Sequence, residues 1–337
     1  MKIALGEARK GLGLTSPNPA VGAILVIGKK VVAKGHHRRA GGPHAEIECL
    51  QTFGAKVPKQ ATMYVTLEPC STTARTPPCT QALIGARIAK IVFGAFDPNP
   101  KHEGRACTLL RQAGIAVETG VLAEECSLLN EAYNKWIRTR QPFVIAKCGM
   151  SLDGRLTRPP HEPRWLTSQA SREHARKLRA QVDAILVGAK TVRADDPHLT
   201  VRGTRNSPQP WRVVLTRSGK LPRAAGIFTD RWANRTLIYR NQGLKTVLRD
   251  LGKREVTSVL IEGGGDVLGQ ALDARVIDKV QLYLAPILTG GPVPAFAGRG
   301  AASTETALPL RYLNFERIGS DLCVTGYPEI KKGDRII

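Results

Sequence analysis

Near the start of the chain, His44-Ala45-Glu46, Cys70 and Cys79 combine the residue types and spacing of a metal-assisted hydrolytic site. One imidazole and two thiolates suit Zn2+ and leave a fourth position for water, as a catalytic zinc site requires. Bound there, zinc lowers the pKa of that water so that hydroxide exists near neutral pH. Glu46, two residues past the histidine, is read as the proton carrier rather than a ligand. A second set lies far downstream. Ile261-Glu262-Gly263-Gly264-Gly265-Asp266-Val267 ends a strand and begins a helix. Its glycines let the backbone approach a ligand closely, and free N–H groups at the helix start bind phosphate.

The elements around these residues put them where chemistry needs them. His44 opens a helix expected over His44–Phe53, after Gly41-Gly42-Pro43, and Cys79 opens another expected over Cys79–Gly85. The helix N-termini favour thiolate and hydroxide. Glu68-Pro69-Cys70 closes a strand expected over Ala61–Leu67. Other strands are read at Ala20–Ile27, Lys30–Ala33 and Ile91–Ala95, with helices at about Gly104–Ala113 and Ala123–Thr139. Thr139-Arg140-Gln141-Pro142 breaks that last helix and marks the domain boundary, giving domains 1–141 and 142–337. The second domain is read with strands Phe143–Met150, Ala184–Val187, Trp211–Thr216, Thr236–Tyr239, Ser258–Ile261 and Val280–Leu284. Helices are expected at Ser168–Gln181 and Gly263–Leu272. Alternating strands and helices in both halves predict α/β layering.

Bulk composition narrows the function classes. A chain of 337 residues that is 42% hydrophobic and 23% charged, with no long apolar run, reads as two globular domains without a membrane span. Its N-terminus reads as the start of a helix rather than a signal peptide, which predicts a cytoplasmic protein. Seven cysteines are too sparse for a disulfide framework; Cys49, Cys107, Cys126, Cys148 and Cys323 read as packing residues. The net charge of +22 attracts anions, but the basic residues are scattered and aromatics are only 5%. Scattered charge is more often a solvated surface than a binding face, and nucleic-acid binding is not expected as the main role. A homo-oligomer is left open.

Taken together, H-x-E and P-C match the signature of zinc deaminases, in which the glutamate moves a proton from water to the ring nitrogen and leaving ammonia. Deaminases of nucleic acids and nucleosides use P-C-x-x-C, whereas eight residues separate Cys70 from Cys79 here. Thr66–Cys79 instead resembles the bifunctional riboflavin-biosynthesis deaminase–reductase family, whose pattern is T-L-E-P-C-S-H-x-G-[KR]-T-P-P-C. Ser16-Pro17-Asn18-Pro19-Ala20-Val21-Gly22 and Asp97-Pro98-Asn99-Pro100 match two further family stretches. In the second half Lys147, Ser151–Arg155, Trp165-Leu166-Thr167-Ser168, Leu178-Arg179-Ala180 and Thr191–Thr200 match the reductase domain in order.

The resemblance implies a cytidine-deaminase-like three-layer α/β/α domain followed by a dihydrofolate-reductase-like α/β domain. It implies deamination of a 2,5-diamino-6-ribosylaminopyrimidinone 5′-phosphate, then reduction of the ribosyl group by NADPH. Asn18, His37 and Arg75 are implied as substrate contacts of the first site. In the second, Arg179, Leu199, Arg202 and Glu262 are implied for substrate. Trp165, Thr191, Asp195 and the run Gly264, Gly265, Asp266, Val267, Leu268, Gly269 and Gln270 are implied for NADP. Lys147, Asp195 and Glu262 are the ionisable groups expected to assist ring opening or proton transfer. The chain departs from the family at Thr72 for His, Ala74 for Gly, His161-Glu162-Pro163 for Gly-Asp-Ser, and Arg217 for a Ser at the cofactor. Those departures keep a second expectation open, a deaminase with an impaired or repurposed reductase domain. A nucleic-acid-editing deaminase is the third.

Overall fold

The alternation of apolar runs and amphipathic segments builds two units, Met1–Thr139 and the chain from Arg140 onward, each with its own sheet and apolar core. The computed structural model describes residues 1–72, 77–157, 165–202 and 208–329.

The first unit contains α1 (Lys2–Arg9), β1 (Gly22–Ile27), β2 (Lys30–His36), α2 (Ala45–Phe53), β3 (Thr62–Leu67), α3 (Cys79–Gly85) and β4 (Lys90–Ala95). It continues through α4 (Arg105–Gln112), β5 (Ala116–Thr119), α5 (Ala123–Leu129) and α6 (Glu131–Thr139). The sheet order is β2-β1-β3-β4-β5, with β1 antiparallel to both neighbours and the last three strands parallel. Two glycines establish the layering. Gly35 pairs with Ala23, so it faces the opposite side from Gly22. A Cβ on Gly22 would strike the Ala4 carbonyl of α1, and one on Gly35 the backbone of Ala45 and Cys49 in α2. Helices α1 and α2 therefore lie on opposite faces of the sheet, the α/β/α arrangement the resemblance implies.

The helix expected over Ala123–Thr139 is two helices. Asn130 interrupts it, its side chain accepting from the Ala20 N–H at 2.8 Å and donating to the Ala20 carbonyl at 3.0 Å.

The second unit contains β6 (Phe143–Ser151), α7 (Gln169–Arg179), β7 (Ala184–Gly188), α8 (Ala189–Asp195), β8 (Trp211–Thr216), α9 (Gly226–Thr229) and β9 (Thr236–Arg240). After these come α10 (Leu244–Lys253), β10 (Ser258–Ile261), α11 (Gly265–Asp273), β11 (Lys279–Ala285), β12 (Leu310–Ile318) and β13 (Asp321–Pro328). The sheet order is β12-β13-β11-β6-β10-β7-β8-β9. From β11 to β9 all neighbours are parallel, and the β12–β13 hairpin adds antiparallel strands beside β11. Strand β10 is buried throughout, as a central parallel strand with both faces covered should be. The chain runs from β6 out to β9 and returns through β10. Its carboxyl-end crevice is where an open α/β sheet binds ligands.

Candidate active sites

In the first unit the zinc-type residues converge on one point. The ligand atoms of His44, Cys70 and Cys79 all lie within 4.8 Å of one another. His44 Nδ1 is 3.5 Å from Cys70 Sγ and 3.3 Å from Cys79 Sγ. Tetrahedral geometry at zinc places N and S ligands roughly 3.5 Å apart, from its usual bond lengths. His44 is the N-cap of α2 and Cys79 the first residue of α3, so the helix starts fix two of the three donors. Hydrogen bonds from the Cys79 thiol, from His44 and from the Cys79 N–H at 3.2 Å hold the Cys70 thiol well below its usual range, which favours its thiolate. The donor set therefore fits zinc.

Glu46 is 3% exposed and contacts the Cys79 thiol. Burial, reinforced by the Cys70 charge, pushes its carboxyl up to about 7, the range in which a carboxyl both takes and returns a proton. His37 lies edge-on to His44 with ring centroids 5.3 Å apart. Its Nδ1–H donates to the Pro43 carbonyl at 2.8 Å, leaving Nε2 to accept from Asn18 Nδ2 at 3.2 Å. Asn18 and His37 thus form one unit beside the metal ligands. Arg75, Ala74 and Pro163 lie outside the described residues.

Glu68 has a role that the sequence reading does not give it. Its buried carboxylate accepts from the backbone N–H groups of Asp97 at 3.3 Å, Gly104 at 3.0 Å and Ala106 at 3.0 Å. It straps the segment from Asp97 to Ala106, and His102 on that strap lies 3.5 Å from the Ser71 and Thr72 hydroxyls. The signal available in the sequence is an acid placed directly before Pro69-Cys70.

The second site is a cleft of about 1030 Å³ at the carboxyl ends of β6, β7, β8 and β10. Lys147, Trp165, Thr191, Asp195, Arg179, Leu199, Glu262, Gly264, Gly265, Asp266, Val267, Leu268 and Gln270 all line it. Two of the implied residues do not. Gly269 is buried against the Ala297–Gly298 backbone, where an added Cβ would come within 2.4 Å, so its smallness serves helix packing. Arg202 is exposed and is not among the described residues that line the cleft.

Arg179 ends α7 and grips Glu262 with both prongs, Nε to Oε1 at 2.7 Å and Nη2 to Oε2 at 2.9 Å. Burial alone pushes Glu262 up, but the Arg179 guanidinium and the Lys147 ammonium outweigh it and hold the carboxyl below its usual value. Glu262 is therefore a fixed carboxylate at neutral pH, an acceptor rather than an acid. Gly264 has φ of +49°, a conformation that favours glycine, and it leads into α11, whose first N–H groups have no intrahelical partner. A phosphate fits that turn.

Comparison with known proteins agrees with both halves. The family model described as the cytidine and deoxycytidylate deaminase zinc-binding region matches residues 1–95. That described as the RibD C-terminal domain matches residues 142–324. The riboflavin biosynthesis protein RibD of Aquifex aeolicus is 37% identical over 96% of this chain and 96% of its own length. The chain belongs to the RibD family. The Escherichia coli RibD is 36% identical over 96% of this chain and 97% of its own length. Acinetobacter baumannii RibD superposes with a TM-score of 0.89 at 34% identity, covering 98% of both chains. The Thermotoga maritima diaminohydroxyphosphoribosylaminopyrimidine deaminase/5-amino-6-(5-phosphoribosylamino)uracil reductase gives 0.88 at 32% identity, covering 98% of this chain and 97% of its own. Like other RibD proteins, this chain joins a zinc-binding deaminase domain to an NADPH-dependent reductase domain. No helix among the described residues is long and apolar enough to cross a membrane.

Proposed function

We propose that the first unit removes the ring amino group of a 2,5-diamino-6-(5-phosphoribosylamino)pyrimidin-4-one, and that the second reduces the ribosyl group of the product to a ribityl chain. The observation that carries this reading is the convergence of His44, Cys70 and Cys79 beside a buried Glu46, in a chain that also holds a separate reductase cleft. Zinc, when held by those three residues, supplies an acidified water. Glu46 takes one proton from that water and delivers it to the ring nitrogen, then takes the second proton from the same oxygen and delivers it to the departing amino group, which leaves as ammonia. The Asn18 amide nitrogen is committed to His37, so its oxygen accepts from a substrate N–H.

In the second unit NADPH, when bound, supplies a hydride. The turn at Gly264 and the first turn of α11 would hold its pyrophosphate, and Trp165, Thr191 and Asp195 line the same cleft. Arg179 and Glu262 form a rigid pair against which the sugar is oriented, with Leu199 as an apolar wall. The Lys147 ammonium delivers the proton that the ribose ring oxygen needs when the ring opens. The protein's contribution is alignment of two carbons and exclusion of water.

Supplying the diaminopyrimidinone ribotide with and without NADPH, and following ammonia and NADPH separately, tests both halves. Ammonia release without NADPH, and NADPH oxidation only after it, are expected. Ammonia with no NADPH oxidation would replace this reading by that of a deaminase with an impaired reductase. Glu46→Gln should keep zinc, lose ammonia release and still oxidise NADPH on substrate deaminated beforehand. Cys70→Ser or Cys79→Ser should lose zinc, because each thiolate is one of only three protein ligands.

A further inference from the structure

Four cations ring the turn that follows β8. Arg217 and Lys220 belong to the turn itself. Arg193 reaches over from α8 and donates from Nη1 to the Lys220 carbonyl at 3.0 Å. Arg240, at the end of β9, lays its side chain against Gly219, which has φ of +77° and would bring an added Cβ within 3.1 Å of it. All four are exposed, and none is in an ion pair among the described residues. Like charges gathered with no ion pair to any of them repel one another, so an anion bound among them would stabilise this arrangement. The turn also offers hydroxyls that keep a proton to donate. Ser218 Oγ accepts from the Lys220 N–H at 3.2 Å and Thr216 Oγ1 from the Gly219 N–H at 3.0 Å.

Arg193, Arg217, Thr216 and Ser218 line the reductase cleft. Its other cations are already engaged. Arg179 is paired with Glu262 and Lys190 with Asp266, each at 2.7 Å, while Arg172 donates to the Thr167 carbonyl at 2.5 Å. Lys147 acts on Glu262. The order β10-β7-β8 sets the carboxyl end of β8 two strand positions from the end of β10, roughly 10 Å at the usual strand spacing. The glycine turn follows β10. A pyrophosphate held at that turn would leave a gap toward β8 of about the length that one ribose spans.

We propose that Arg217, assisted by Arg193, holds the 2′-phosphate of NADPH and sets the choice of NADPH over NADH. A planar guanidinium grips two oxygens of one phosphate, and the 2′-phosphate is what distinguishes the two cofactors. The proposal rests on the reading of this cleft as the NADPH site.

Binding of adenosine 2′,5′-bisphosphate and of AMP to the full chain, measured by calorimetry, tests it, since the two probes differ only in the 2′-phosphate. The parent should bind the bisphosphate more tightly. Arg217→Gln should weaken the bisphosphate by roughly ten- to a hundred-fold, the loss of one charged hydrogen-bonding partner, and leave AMP unchanged. Arg217→Lys should keep part of the difference. In turnover, Arg217→Gln should raise the KM for NADPH by a similar factor and leave that for NADH and both kcat values nearly unchanged. Equal effects on both probes, or none on either, would overturn the assignment while leaving the cofactor cleft in place. If the parent binds neither probe nor NADPH, the cofactor reading of the cleft falls and takes this one with it.

Discussion

Glu262 and Arg179 stand 83 positions apart in sequence and make the best-formed ion pair of the reductase cleft. The side chains are 9% and 20% exposed respectively, so neither partner is well solvated if the other is removed. Breaking such a pair from one side leaves an uncompensated charge, and Glu262→Gln should cost on the order of 2–4 kcal/mol, below the fully buried range because Arg179 keeps some contact with water. The pair also makes stability depend on pH in a defined direction. The folded-state pKa of Glu262 lies below its unfolded value of about 4.3, so the unfolded chain binds the proton first as pH falls. The contribution is therefore full above the unfolded pKa and is lost as pH drops through the folded one. Thermal melts from pH 7 to pH 3 should show the gap between parent and Glu262→Gln closing below about pH 4.3. A gap that is constant with pH would mean that the Arg179 partnership does not hold Glu262 ionised.

At the scale of elements, the α11 entry couples packing to binding. Gly264 needs its positive φ, and an added Cβ there would lie 3.2 Å from Thr191 Oγ1, while one on Gly265 would meet the Pro294 carbonyl at 2.1 Å. Gly264→Val should therefore abolish the rise in melting temperature that NADPH produces, and an undiminished rise would remove this turn from the cofactor site. Local signals of this kind were enough for α3, β8 and β10, where apolar runs bounded by breakers coincide with the observed spans. They were not enough where the deciding partner is distant. Asn130 divides α5 from α6 through bonds to Ala20, and no periodicity between Ala123 and Thr139 reveals that. The β12–β13 hairpin is not assigned from sequence, because β12 is exposed over almost its whole length and shows no alternation of buried and exposed residues. Helix α10 is a different case. Its buried Leu244, Val247, Leu248 and Leu251 follow helical spacing that the sequence does carry. The zinc ligands were legible because residue type and motif spacing point to them, whereas the Arg179–Glu262 fork arises only from the fold, and the acid before Pro69-Cys70 marks Glu68 without revealing the loop it holds.

Over the whole molecule, each unit has its own core. Leu25, Met63, Val65, Ile91 and Phe93 centre the first; Val144, Leu186, Val213, Val259 and Ile261 centre the second. Each also has its own ligand chemistry, which gives a calorimetric prediction for the intact chain. Two transitions are expected, one sensitive to chelation and the other to NADPH. Removing zinc takes away a ligand that binds only the folded site, so a chelator should lower the transition of the first unit. Cys70→Ser should start from that lowered position and respond no further. NADPH at a hundred times its Kd stabilises the folded second unit by about 2.7 kcal/mol. For a unit of this size that corresponds to an upward shift of roughly 5–11 °C. Chelation should leave that transition where it is, and NADPH should leave the first. If each ligand moved both transitions by comparable amounts, the two units would be unfolding as one. Separate deaminase and reductase sites would then no longer follow from the separate cores.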